Sequence, residues 1–330
     1  CTIEPNVGLV DVPDHRMQQL AALINPQRIV PTQLEIVDIA GLVKGASKGE
    51  GLGNKFLANI REVSAIIHVI RCFEDENVLR EEGVINPIGD KEIIETELQL
   101  KDLDSVEKKI QRSEKMAKTD PKAKIELEVL LKCKGHLEQG KSIRSLGLDK
   151  EEKVAIADIF LLTEKPVMYV ANVDEKSMHT GNTYSEKLLT MAKEEGAQVI
   201  VMCNNIEAQI TELEDPDDKA LFMEEYQMKE PALNRLIQSA YKLLALETYF
   251  TAGVQEVRAW TIGNGWKAPQ AASVIHTDFE KGFIKAEVIA FEDYIKYKSE
   301  AACRESGKLR IEGKEYIVKD GDVMHFRFNV

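Results

Sequence analysis

The sequence predicts a mixed α/β chain in three parts. A parallel-sheet domain occupies residues 1–90 and 148–246, an antiparallel helical hairpin is inserted at 91–147, and a small α+β domain fills 247–330. Three observations carry this reading. Ala65 to Ile70 is a nearly continuous apolar run of strand length, the kind a parallel sheet buries on both faces. Ile94, Leu98, Leu103, Val106 and Ile110 recur at helical spacing amid dense charge. At the end of the chain, Met324, Phe326, Phe328 and Val330 alternate with His325, Arg327 and Asn329, as in a half-buried strand.

Taken in order, Asn6 to Val12 and Gln33 to Asp38 read as strands, with a helix over Asp14 to Ile24 between them. After Ala65 to Ile70 the helical period takes over. Thr119-Asp120-Pro121 interrupts it, and a second helical stretch carries Leu127, Leu130, Leu131 and Leu137. Two long helices joined by a Pro-containing turn make a hairpin. Alternation then resumes, with strands at Pro166 to Ala171 and Gln198 to Met202 and a closing helix at Leu233 to Leu246. In the last part Val257 to Ile262 is strand-like, and Asp320-Gly321 is a turn dipeptide before the final strand, Val323 to Val330.

Composition is that of a soluble globular chain, with 44% hydrophobic and 30% charged residues. No apolar run reaches membrane-spanning length, and a cytoplasmic location is expected. The five cysteines (Cys1, Cys72, Cys133, Cys203, Cys303) contain no CxxC pair, which argues for reduced thiols rather than a disulfide framework or a zinc site. A hard cation held by oxygens stays open. Net charge is −13, which speaks against indiscriminate nucleic-acid binding, and no DNA partner is expected. The charge is uneven. Residues 91–150 carry 14 Lys and Arg against 12 Asp and Glu, whereas residues 151–246 carry 9 against 18. The basic middle segment reads either as a solvated helical surface or as a contact surface for RNA.

Chemistry concentrates at strand ends. Asp38-Ile39-Ala40-Gly41 follows the strand Leu34-Glu35-Ile36-Val37 directly. A carboxylate there can hold a Mg²⁺-bound water, and a glycine three residues on can offer its N–H to a γ-phosphate. The glycine-rich stretch Gly45 to Gly53 has the composition of a mobile switch. DxxG alone is weak and also fits an ordinary turn. Asn172-Val173-Asp174-Glu175 follows the strand Val167 to Ala171. Nucleotide hydrolases read the base at such a loop. In the guanine reader Asn-Lys-x-Asp, the Asp accepts from guanine N1–H and the 2-amino group. Here Val173 replaces the Lys and Glu175 the Asp, and adenine lacks those donors, so strict GTP specificity loses support.

A switch threonine, DxxG and Asn-x-x-acid on successive strand ends form a more specific pattern than any member alone. With Cys1-Thr2-Ile3-Glu4-Pro5-Asn6, Asp38 to Asn54, Phe250-Thr251-Ala252-Gly253, Arg258-Ala259-Trp260-Thr261, Lys267 to Ala272 and Ile275 to Phe283, the sequence resembles the YchF family of Obg-like ATPases along essentially its whole length. The resemblance implies a Ras-like P-loop G domain, an inserted coiled coil and a C-terminal TGS domain of β-grasp type. It implies ATP as substrate with GTP also accommodated, Mg²⁺ as cofactor, and the ribosome and its RNA as partner. Carried over by position, Thr2 is similar to the Mg²⁺-ligating switch threonine, Asp38 to the Mg²⁺-water holder and Gly41 to the γ-phosphate sensor. Asn172, Val173 and Glu175 are similar to the base-reading loop, which in this family tolerates or prefers adenine. Cys203-Asn204-Asn205 falls at the last base-contact loop.

Two departures matter. No G-x-x-x-x-G-K-[S/T] occurs in the sequence, and by the family pattern roughly 30 to 35 residues carrying it are expected before Cys1. Leu42 stands where Ras-like enzymes carry a water-positioning Gln, and Arg80 where related enzymes place a His. Hydrolysis then needs another group or a partner. His68, within a buried strand, reads as a core histidine. The alternative function is a non-hydrolysing RNA- or ribosome-binding module with a degenerate G domain. A tRNA-ligase fragment fits Asp38 to Gly41 and Asn172 to Glu175 poorly.

Overall fold

The computed structural model describes residues 5–39, 52–75 and 84–329, with the backbone alone described at 52–55. It divides into two compact units, residues 1–7 with 37–236 and residues 8–36 with 237–330.

The first unit is built on three parallel strands, Ile66–Arg71, Val167–Asn172 and Gln198–Met202, with Val167–Asn172 in the centre. The central strand is apolar through Val-Met-Tyr-Val-Ala because it is covered on both faces, and its first five residues are buried. Helix Thr183–Glu195 crosses from the central strand to Gln198–Met202, packing Leu188 and Ala192 against Tyr169, Ala171 and Val173. Asn182 caps it, accepting from Tyr184 and Ser185 N–H, and Gly196 ends it at φ 68°, a left-handed position that favours glycine.

The helical insertion is present as expected and starts a little earlier, at Pro87. Helix Pro87–Met116 has 30 residues, about 45 Å of rise, and Pro121–Leu137 returns along it. Asn86 and Asp120 cap the two helices, each followed by a proline whose missing N–H costs nothing in the first turn. Val106 and Ile110 meet Val129, Leu130, Cys133 and Leu137 in one core. Leu131, expected on the apolar stripe, is 51% exposed, and Val129 and Cys133 fill the core in its place.

Asp102, one of the fully buried residues, fastens the long helix to the segment leading into the central strand. Its carboxylate accepts from Leu162 N–H at 2.8 Å, Thr163 N–H at 2.7 Å and the Thr163 hydroxyl at 2.7 Å. Glu207, on helix Asn204–Glu212, plays a similar part elsewhere, accepting from the N–H groups of Ala232 and Leu233 at the start of helix Ala232–Leu243. That helix stops short of the expected Leu246. Ala245 turns into the left-handed region at φ 51°, and the next strand begins at Leu246.

The second unit is a six-stranded sheet in the order Arg310–Glu312, Phe283–Ala290, Asp322–Phe328, Leu246–Ala252, Glu256–Gly263, Arg28–Val30. Asp322–Phe328 runs parallel to Leu246–Ala252, and Arg28–Val30 parallel to Glu256–Gly263; the other pairs are antiparallel. One core joins Tyr249, Ile262, Val288, Met324 and Phe326 with Ala268, Ala271 and Ala272. A second joins Phe250, Val257 and Ile289 with Met17, Leu20 and Tyr294.

One boundary differs from the expectation. Residues 8–36 cluster with the C-terminal part rather than with the first domain. The physical reason is burial. Helix His15–Ile24 has its apolar residues Met17 and Leu20 in the second core, and Arg28–Val30 completes the sheet edge. Asp14 caps the helix and binds Arg16, which also reaches Asp320 at 2.7 Å. The expected strands at the start of the chain are both present, Asn6–Asp11 and Gln33–Asp38 forming a two-stranded sheet.

Candidate functional site

In a parallel sheet the carboxyl ends of the strands gather loops whose backbone groups are not consumed by the ladder, and ligands bind there. In the first unit those ends are Arg71, Asn172 and Met202, which lie side by side in register. Hydrogen bonds run on past them. Cys72 N–H donates to Asn172 O at 2.8 Å, and Val173 N–H to Met202 O at 2.9 Å.

Asn172 is the centre of this arrangement. Its Oδ1 accepts from Asn204 N–H at 3.0 Å, joining the loop after the central strand to the loop after its neighbour. That bond orients the amide and leaves its Nδ2 without a partner among the described residues. Val173 is 2% exposed and belongs to the core beneath, which explains an apolar residue where a lysine is usual. Asp174 turns back to cap the short helical turn 175–177, accepting from Ser177 N–H at 2.9 Å. Glu175 is exposed at the start of that turn. Burial and the nearby Glu175 carboxylate raise the Tyr226 phenol above its ordinary pKa. Cys203 is buried among Met178, Phe222, Met223 and Tyr226. The structure thus brings Asn172, Val173, Glu175, Cys203 and Asn204 together.

Asp38 is exposed and closes its strand, as expected of a residue that presents a carboxylate at a strand end. Thr2, Gly41, Leu42 and Arg80 lie outside the described residues, as does most of the glycine-rich stretch.

Two contributors escaped the sequence reading. Asn182 donates from Nδ2 to Cys72 O at 2.7 Å while its Oδ1 caps the following helix, so one side chain braces two loops. The run Asn182-Thr183-Tyr184-Ser185 was a readable capping signal. Arg71 donates to Phe73 O at 3.0 Å and Asp75 O at 3.1 Å, with its guanidinium over the Phe73 ring, and so shapes the loop leaving the sheet. A lone arginine at a strand end gives no such signal.

Beneath the site lies a polar network. Tyr169 donates to Glu195 at 2.8 Å, Lys91 pairs with Glu195 at 2.5 Å, and Arg144 pairs with Glu95 at 2.5 Å. Burial works against ionising Glu95, yet Arg144, Ser142 and Lys91 hold its pKa below the usual value. His68 sits against this network, its ring 6.0 Å from that of Tyr169. Its partial burial fits the core reading, and that burial depresses its pKa from 6.5 to about 4. The folded state therefore binds fewer protons than the unfolded chain between those values. Its stabilising share is complete above pH 6.5 and is lost as pH falls toward about 4. At pH 5, urea unfolding should show about 1–2 kcal/mol less stability from this group than at pH 7, and His68→Gln should flatten the difference.

Comparison with known proteins identifies the family. A family model of 50S ribosome-binding GTPases matches residues 1–125, and the YchF-GTPase C-terminal model, described as a protein of unknown function, matches residues 246–329. A protein of Haemophilus ducreyi named ribosome-binding ATPase YchF is 57% identical over 331 residues, covering 100% of this chain and 91% of that protein. This chain belongs to the YchF family. The YchF relative from Bacillus subtilis is 52% identical with the same coverage. The solved YchF GTPase of Schizosaccharomyces pombe superposes with a TM-score of 0.88 at 38% identity, covering 99% of this chain and 88% of that one. A GTP binding protein from Pyrococcus horikoshii shares the fold at a TM-score of 0.61 and 17% identity. The Ras-like G domain, the inserted hairpin and the C-terminal domain expected from the sequence all agree with YchF membership.

Proposed function

We propose that this protein is a ribosome-associated ATPase of the cytoplasm, able also to take GTP, that acts as a Mg²⁺-dependent switch in translation or in a stress response. The observation that carries the reading is the Asn172–Asn204 pairing at the carboxyl end of the parallel sheet, in a chain whose full-length relatives are named ribosome-binding ATPases.

In this reading the purine lies over the loops 172–175 and 203–205, the segments 1–90 and 148–246 supply the nucleotide domain apart from residues 8–36, which cluster with the C-terminal part, and 247–330 is the TGS domain. Asn172 Nδ2, fixed by the bond from Asn204 N–H to its own Oδ1, donates to purine N7. Val173 supports the loop from the core, Cys203 packs behind it, and Glu175 faces the base edge. Asp38, an exposed oxygen donor closing its strand, fits a small hard cation held mainly by phosphate and water. No cluster of three or more His, Cys, Asp or Glu occurs among the described residues, and Mg²⁺ at a triphosphate needs no such cage. Thr2 and Asp38 would hold it, Asp38 through water, and when bound it neutralises charge developing on the phosphates. Gly41 offers its N–H to the γ-phosphate. Water attacks the γ-phosphorus, the bond to the bridging oxygen breaks, and ADP and phosphate leave. Leu42 cannot orient that water, so Arg80 or a ribosomal group completes the site.

The inserted hairpin and the TGS domain are the surfaces that meet ribosomal RNA. No helix among the described residues is long and apolar enough to cross a membrane.

The deciding experiment mixes the full-length gene product with labelled ATP and GTP, with and without ribosomes. Binding and ribosome-stimulated hydrolysis support the reading. Ribosome binding with no nucleotide bound would instead identify a non-hydrolysing module. Asn172→Ala should weaken ATP binding by about 10-fold while leaving ribosome binding intact, measured by fluorescence titration and by co-sedimentation.

A further inference from the structure

The loop residue next to the base site carries an acceptor that the fold leaves unused. Asn204 is the first residue of helix Asn204–Glu212. Its backbone N–H is committed to Asn172 Oδ1 at 3.0 Å. Its side-chain Oδ1 is buried and has no hydrogen-bond partner among the described residues. Burying an unpaired carbonyl oxygen disfavours the folded state, and such atoms in native proteins call for an explanation. A ligand that brings a donor to this point supplies one.

The two purines differ in the group they offer. Adenine presents its 6-amino group, a donor, where guanine presents O6, an acceptor. Asn204 Oδ1 can accept from the first and repels the second. The backbone N–H that could serve O6 is already taken by Asn172. The same residue therefore favours adenine and withholds a donor from guanine, which is discrimination by attraction and by repulsion together.

We propose that Asn204 is a specificity-determining residue whose Oδ1 accepts a hydrogen bond from the 6-amino group of adenine and so sets the preference for ATP over GTP. The assignment rests on the reading of the loops 172–175 and 203–205 as the base site. It differs from the effect of Val173, which stands in place of the guanine reader's lysine and is buried in the core beneath.

The test uses the full-length gene product with Mg²⁺ and a displaceable fluorescent ATP. The competitors are ATP, GTP and purine riboside triphosphate, which lacks any group at position 6. The unaltered protein should prefer ATP over purine riboside triphosphate by about 5- to 10-fold. Asn204→Ala should close that gap to within about twofold and improve GTP relative to ATP. Asn204→Asp, which keeps an acceptor oxygen, should retain the gap. A full gap in Asn204→Ala, or no gap in the unaltered protein, overturns the assignment alone. Loss of the gap in the Asp variant as well as in the Ala variant makes Asn204 a support of loop shape and also overturns it. Failure of the unaltered protein to bind any nucleotide overturns the base-site reading, and this assignment with it.

Discussion

Asp102→Ala should lower the unfolding free energy by about 3–5 kcal/mol. The carboxylate is fully buried and gathers three donors, Leu162 N–H, Thr163 N–H and the Thr163 hydroxyl. Burial pushes its pKa up, and those donors, with the charge of Arg61, pull it back. Alanine would leave both amide groups without their acceptor in a place water does not reach, and each unpaired buried donor costs about 1–3 kcal/mol. Asp102→Asn keeps one acceptor oxygen and should cost less. Urea unfolding followed by far-UV circular dichroism measures both. Midpoints indistinguishable from that of the unaltered protein would show that the long helix is fastened by its apolar contacts alone. Because Asp102 ties helix Pro87–Met116 to the segment entering the central strand, its loss should also raise hydrogen exchange at Leu162 and Thr163 before the rest of the sheet.

Periodicity carried the parts of this fold that depend on it. The run Ala-Ile-Ile-His-Val-Ile gave a parallel strand, and the apolar spacing from Ile94 to Leu137 gave the hairpin, because each pattern matches one element and no other. What failed was the partner of an element. Helix His15–Ile24 was readable as a helix, but nothing in Met17 or Leu20 says which sheet buries them, and residues 8–36 joined the C-terminal unit. Leu131 was placed on the apolar stripe by type, whereas the helix turned Val129 and Cys133 inward instead. At the site, the place of Asn172 at a strand end was legible only through an ordered set of motifs, since alone it also fits an ordinary surface loop after a strand. The Asn172–Asn204 bond was not, since it joins residues 32 apart through a strand register that only the folded sheet fixes. Asp102 gave no warning either. It is one acidic residue among many on a charged helix, and its burial depends on where the segment at 162–163 returns.

Asp38 is the described residue whose replacement should most reduce activity. In the proposed mechanism it holds Mg²⁺ through water, so Asp38→Ala should lower the rate of ATP hydrolysis on the order of 100-fold and raise the Mg²⁺ concentration needed for half-maximal rate. Asp38→Asn keeps the size and loses the charge, and should resemble the alanine variant in both respects. Stability should change by less than about 1 kcal/mol in either, because Asp38 is exposed at the last position of its strand and its side chain makes no hydrogen bond or ion pair among the described residues. Nucleotide binding measured in excess chelator separates this role from a structural one. With the cation removed, unaltered and variant proteins should bind ATP equally, since the purine contacts at Asn172 do not involve Asp38. If the variants instead bind poorly even in chelator, Asp38 shapes the loop that follows it rather than the cation site. If they hydrolyse ATP at the normal rate with a normal Mg²⁺ dependence, the carboxylate at this strand end has no part in the chemistry, and the cation must be held by other oxygens.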